Sequence, residues 1–294
     1  MKRIIVLAAC IISLLGFTFP GSASAAGTYS IGFDSSQIHV ETPRSSGITC
    51  SGDLQVNGSS ELDVVWFCIR NPQNELTTAR ANVQGGQFDT TLNLSMGAGQ
   101  YTVWAGDNPR KFDGKIRFLV ENKASQDNRY ASPSLYVDSE NSSIVQLAAT
   151  IAPDNLSDIE KLRNIHNWVT NHIAYDCVAL ANNGSSTLTP ASQTLSNGKG
   201  MCRDYAFLTA ALARASGLPA RVIYGMATPP NASGGGMHAW NEIQVNGQWV
   251  FIDTCWDAGY VKNNEFVASP TTTYLMPYNS GYPSSHRATS TALY

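Results

Sequence analysis

The sequence predicts a mixed α+β chain in two parts: an all-β first half, then helices packed on an antiparallel sheet. Three observations carry this. Short segments rich in β-branched and aromatic residues fill residues 26–122. A polar, aperiodic stretch, ENKASQDNRYASPS at Glu121–Ser134, reads as a linker. Beyond it, apolar residues recur at helical spacing ahead of a hairpin with an Asn-Gly turn.

Residues 1–25 read as a secretory signal peptide. Lys2 and Arg3 precede the short apolar run Ile4–Phe17, and Ala23-Ser24-Ala25 is a small-residue cleavage pattern. A secreted or cell-surface location is expected. No later stretch approaches the ~18 apolar residues of a membrane span, so no stable insertion is expected after cleavage. A net charge of -3 with no basic stripe argues against a nucleic-acid partner. The charged fraction, 14%, is low and suits an exported β-rich protein.

Removing Cys10 with the signal leaves Cys50, Cys68, Cys177, Cys202 and Cys255. An odd number in an oxidising compartment leaves at least one thiol unpaired within the chain. The simplest allocation is a Cys50–Cys68 disulfide, with Cys177–Cys255 as a further pair and Cys202 free. Spacing alone equally admits Cys202 in a bridge.

In the first half, TYSIGF, QIHVET, ELDVVWFCIR, QFDTTLNLS, QYTVWAG and KIRFLVEN read as strands, and Gly85-Gly86 as a hairpin turn. About seven strands in about 95 residues predict an immunoglobulin- or fibronectin-like sandwich over 26–122. It carries no catalytic cluster and reads as a support or binding module.

In the second half, Ser157 and Glu160 form a capping box, and Ile159, Leu162, Ile165, Val169 and Ile173 follow at helical spacing. His166, Trp168 and His172 on this helix read as surface or packing residues. Asn182–Ser192 reads as a loop. Cys202 opens the next helix, whose stripe is Tyr205, Leu208, Leu212 and Ala215, with Gly217 and Pro219 at its end. A helix N-terminus presents unsatisfied N–H groups and partial positive charge, which favour a thiolate. Lys199 and Arg203 add to this field and Asp204 opposes it. Gly198 and Gly200 leave space for a substrate backbone.

Ala220–Ala227 reads as a strand, and MHAWNEIQVNGQWVFIDTCWD as a hairpin turning at Asn246-Gly247. That turn sets Val245 opposite Gln248, Trp240 opposite Asp253 and His238 opposite Cys255. His238 and Asp253 then share a face as diagonal neighbours, ~7–8 Å apart at Cα. Ile243, Val245, Val250 and Ile252 take the opposite face. The result is a thiol, imidazole and carboxylate in chain order Cys202, His238, Asp253. In such a set the thiol attacks a carbonyl, the imidazole moves its proton, and the carboxylate orients the ring. The Cys202 N–H is one oxyanion donor; Tyr175 and Gln193 are candidates for a second. Trp240 and Trp249 share the triad face. Packing is their expected duty, with Trp240 also a candidate wall of the acyl pocket. His286, in the C-terminal tail, reads as incidental.

GKGMCRDYAFLTAALARASGLPARVIYG, then HAWNEIQVNGQWVFIDTCWD, resembles the core of the transglutaminase-like superfamily, and IEKLRNIHNWVTNHIAYD resembles the helix leading into it. The resemblance runs over roughly 134–257. It implies a papain-like α+β fold for a catalytic domain at 134–294, with catalytic Cys202, His238 and Asp253 and no cofactor. One departure is Cys255, which stands where a small or proline-type residue is common and would crowd the site or form a bridge beside it. The implied function is thiol-dependent acyl transfer on protein or peptide amides, by glutamine crosslinking, deamidation or hydrolysis. The partner would be a protein or peptide substrate, cell-wall proteins included. The alternative is a non-catalytic surface or cell-wall binding module on the same scaffold. A zinc site of Cys177, Cys202, His238 and Cys255 lacks the usual ligand spacing, and no metal is expected.

Overall fold

Strand pairing in the computed structural model, which describes residues 30–182, 188–229, 234–275 and 283–292, resolves the first half into two sheets. The proposed signal peptide lies outside the described residues. The chain divides into two units, with the boundary at Leu135/Tyr136.

The first unit contains β1 (Ile38–Thr42), β2 (Ile48–Cys50), β3 (Asp53–Ser60), β4 (Val64–Arg70), β5 (Leu76–Asn82), β6 (Gln87–Asn93), β7 (Gly99–Gly106) and β8 (Ile116–Asn122). One sheet has the order β1-β3-β6, the other β2-β8-β7-β4-β5. Alternate residues such as Ile116, Phe118 and Val120 on β8 and Tyr101, Val103 and Ala105 on β7 are buried, as period-2 side-chain direction requires. With Val56, Phe67 and Leu92 they form one sandwich core.

Three expectations need correction here. The described part of TYSIGF, residues 30–33, contributes one isolated bridge, at Gly32, while β3 is a full strand whose inward positions include the small residues Gly58 and Ser60. Gly85-Gly86 does make a tight turn, with Gln84 bridged to Gln87, but β5 and β6 then enter different sheets. Cys50 and Cys68 are both free thiols. They lie on β2 and β4, which β8 and β7 separate. Three strand spacings put their backbones ~14 Å apart, beyond the ~7 Å limit for a disulfide.

The second unit contains α1 (Ser142–Ile151), α2 (Asp158–His172), β9 (Ala174–Tyr175), α3 (Cys177–Ala181), α4 (Ala191–Asn197), β10 (Lys199–Gly200), α5 (Cys202–Ala215), β11 (Ala220–Ala227), β12 (Gly236–Val245), β13 (Gln248–Ile252), α6 (Thr254–Ala258), β14 (Gly259–Lys262), β15 (Glu265–Ala268) and β16 (His286–Thr291). An antiparallel sheet of order β13-β12-β11-β16 forms its centre. Ser157 and Glu160 do cap α2 reciprocally. Helix α5 is buried on almost every side, not along one stripe. Asn241 of β12 donates to the Ala206 carbonyl of α5 at 2.9 Å, so the sheet face bearing Ile243 and Ile252 carries the helix. Among the described residues no helix is long and apolar enough to cross a membrane.

Candidate active site

The thiol is placed by backbone. The short parallel pair β9–β10 sets Tyr175 opposite Gly200, two residues before Cys202. Asp204 reaches back to accept the Met201 N–H at 2.8 Å, which fixes the first turn of α5. A Cβ on Gly200 would lie 2.6 Å from the Asp204 Cβ. The missing side chain thus makes room for Asp204 and not, as expected, for a substrate. Lys199 is spent on Asp176 at 3.1 Å.

The imidazole and carboxylate are placed by the hairpin. Asn246 and Gly247 both have positive φ, 50° and 80°, the backbone of a two-residue turn that Asn-Gly favours. Val245 pairs with Gln248 and Asn241 with Ile252, the predicted register. The ladder ends there. Asp253 leaves the sheet to cap α6, its Oδ1 accepting the N–H groups of Cys255 and Trp256 at 3.0 Å each. Cys255 is therefore on a helix and not opposite His238; neither it nor Cys177 is in a disulfide among the described residues.

His238 Nε2 donates to Asp253 Oδ2 at 2.7 Å. The Cys202 side chain hydrogen-bonds the same ring, and Nδ1 is the nitrogen left for it. Cys202 is 8% exposed, His238 7% and Asp253 1%. Burial alone would lower the His238 pKa, but the charge and hydrogen bond of Asp253, with that of Cys202, push it up to about 10. For Asp253 burial acts upward and is outweighed by His238 and His286, so its carboxyl is held well below the usual range.

Cys202 and His238 line a cleft of about 240 Å³ together with Tyr175, Cys255, Trp256 and Phe266, and no acidic or basic carboxylate, ammonium or guanidinium group is among its lining residues. Tyr175 is thus at the site. Gln193 is exposed on α4 and apart from the cleft. Trp240 does not line the cleft either: it is buried with Ile223 and Phe251, its ring centroid 6.1 Å from that of His238.

Sequence reasoning missed the roles of four residues. Trp256, on α6, lies tilted against His238 with ring centroids 5.1 Å apart. His166 of α2 and Asp257 of α6, both fully buried, pair at 2.9 Å and tie α6 to α2. Most unexpectedly, His286 Nε2 lies 3.1 Å from Asp253 Oδ2. Its sequence context, Ser284-Ser285-His286-Arg287, carries no local pattern that connects it to Asp253. His238, Asp253 and His286 each offer a metal-ligand atom within 4.8 Å of the others. Both ring nitrogens already converge on one carboxylate oxygen, so protons alone satisfy the cluster.

Residues 145–254 match the family model of the transglutaminase-like superfamily. Kyphoscoliosis peptidase of Mus musculus is 28% identical over 153 residues, which are 50% of this chain and 22% of that protein. The chain thus spans about a fifth of the length of the curated relatives it matches. Similar solved structures include a candidate cysteine protease from Cytophaga hutchinsonii, with 18% identity, 90% of this chain and 81% of that one covered, and a TM-score of 0.37. Red sea bream transglutaminase has 9% identity, covers 75% of this chain and 51% of its own, and has a TM-score of 0.32.

Proposed function

We propose that this chain, whose residues 145–254 match the transglutaminase-like superfamily, transfers acyl groups from protein or peptide amides through a thioester on Cys202. One observation carries the reading: a single buried imidazole, His238, joins the Cys202 thiol to the Asp253 carboxylate. Thiol, proton carrier and orienting charge are the parts acyl transfer needs.

The chemistry runs as follows. With the proton held on His238, the Cys202 sulfur attacks the amide carbonyl carbon. The Cys202 N–H, at the start of α5, stabilises the oxyanion. The imidazolium then protonates the departing nitrogen, the C–N bond breaks, and the acyl group remains on sulfur. Water or an amine, deprotonated by His238, displaces it and restores the thiol. Asp253 holds the ring in the tautomer with Nε2–H. A cleft lined by no carboxylate, ammonium or guanidinium group favours an uncharged donor side chain, a glutamine carboxamide or an apolar residue. The export signal read in residues 1–25 suits a partner outside the cytoplasm, at the cell surface or in the wall.

The test is ammonia release, amine incorporation and peptide cleavage on a glutamine-bearing peptide library. Cys202→Ala is expected to abolish turnover. Unchanged turnover in that variant removes the enzyme reading.

A further inference from the structure

An ionised carboxylate has about four acceptor positions, two per oxygen, and in Asp253 all four are met. Oδ1 takes the N–H groups of Cys255 and Trp256, and Oδ2 takes His238 and His286. A thiol–imidazole–carboxylate triad accounts for only one of these. The cap on α6 pins Oδ1 and leaves Oδ2 to two rings. The second ring comes from 33 residues downstream and arrives only because β16 pairs with β11, Ala227 opposite His286.

His286 is not a chance neighbour. Its side chain is fully buried, with the rings of Trp256, Trp240, Phe251 and Tyr274 at centroid distances of 4.5, 5.0, 5.0 and 5.5 Å. An imidazole in such surroundings needs both nitrogens satisfied. Nδ1 lies 2.9 Å from the Ser285 hydroxyl. If that hydroxyl donates to Nδ1, Nε2 carries the proton and donates to Asp253, and every polar atom is paired. His286 does not line the cleft, so it meets no substrate.

We propose that His286 is a positioning residue: it holds the Asp253 carboxylate in line with His238, so that the working unit is Cys202, His238, Asp253 and His286. This rests on the acyl-transfer reading of Cys202 and His238. The titratable groups that face this unit include Cys202 and Tyr205 from α5, His238 from β12, Asp253 and Cys255 at α6, His286 from β16 and Tyr274. Among the described residues the histidine partners of Asp253 are His238 and His286, so loss of His286 removes one of the two ring N–H donors to Oδ2.

The test is an NMR titration of the protein with ¹⁵N-labelled histidine, which reports tautomer and protonation ring by ring without substrate. In the unaltered protein His286 is expected to be neutral with its proton on Nε2. In His286→Phe, which fills the space but donates nothing, the His238 titration is expected to fall by about one pH unit or more, because a less firmly held carboxylate supports the imidazolium less. His286→Gln, whose amide donates from nearly the same point, is expected to keep it. An unchanged His238 titration in folded His286→Phe, or a proton on Nδ1 of His286, overturns the proposal. Should His286→Phe fail to fold, the tautomer decides alone. An inert enzyme with the expected titrations would sink the acyl-transfer reading and spare this one; an active enzyme with an unchanged titration would do the reverse.

Discussion

His238 holds its proton more tightly in the folded chain than out of it, and that has a measurable consequence. Its folded value, about 10, lies above the ~6.5 of a free imidazole. A group raised in this way stabilises the fold fully below the unfolded value and loses the effect as pH rises through the folded one. The melting temperature is therefore expected to decline between about pH 6.5 and pH 10, and His238→Gln to remove that part of the slope. Calorimetry across the window checks it. At this scale the sequence was partly transparent. Cys202, His238 and Asp253 were legible because an Asn-Gly turn fixes a register and a Gly-terminated amphipathic helix fixes a start. His286 was not, because its link to Asp253 spans 33 residues and depends on β16 joining the sheet beside β11.

Elements were legible where their signals are local. The capping box of α2 and the hairpin of β12 and β13 depend on residues a few positions apart. Strand order is not local, and the Cys50–Cys68 bridge failed for that reason: two sequence-near strands, β2 and β4, stand three places apart in the sheet. The short helix α6 was read as more strand, although an aspartate that can cap the N–H groups beyond it is a start signal in its own right. Gly225 is a tight joint between elements behind the site. A Cβ there would lie 2.2 Å from the Arg287 carbonyl oxygen on β16 and 2.5 Å from the Trp240 ring. Gly225→Ala is thus expected to cost roughly 1–3 kcal/mol, as overpacking typically does, and to lower turnover by displacing His286. Denaturant melts paired with kinetics test both halves of that statement.

The whole molecule assigns different tasks to its thiols. Burial pushes Cys68 up to about 11. Burial also raises Cys50, and burial with the charges of Asp176 and Glu265 raises Cys177. These three are held as thiols in the sandwich or beside the cleft, with no imidazole partner shown for any of them. Cys202 combines a helix start, a cleft and a hydrogen-bonded histidine. The decisive measurement is therefore a competition: brief alkylation of the folded full-length chain with iodoacetamide at neutral pH, followed by mass spectrometry of the peptides. Cys202 is expected to react first, at least about tenfold faster than Cys50, Cys68 or Cys177, since thiolate content sets the rate, and to lose that lead in His238→Ala. A Cys202 that reacts no faster than buried Cys68, or that emerges joined to another cysteine, contradicts the account.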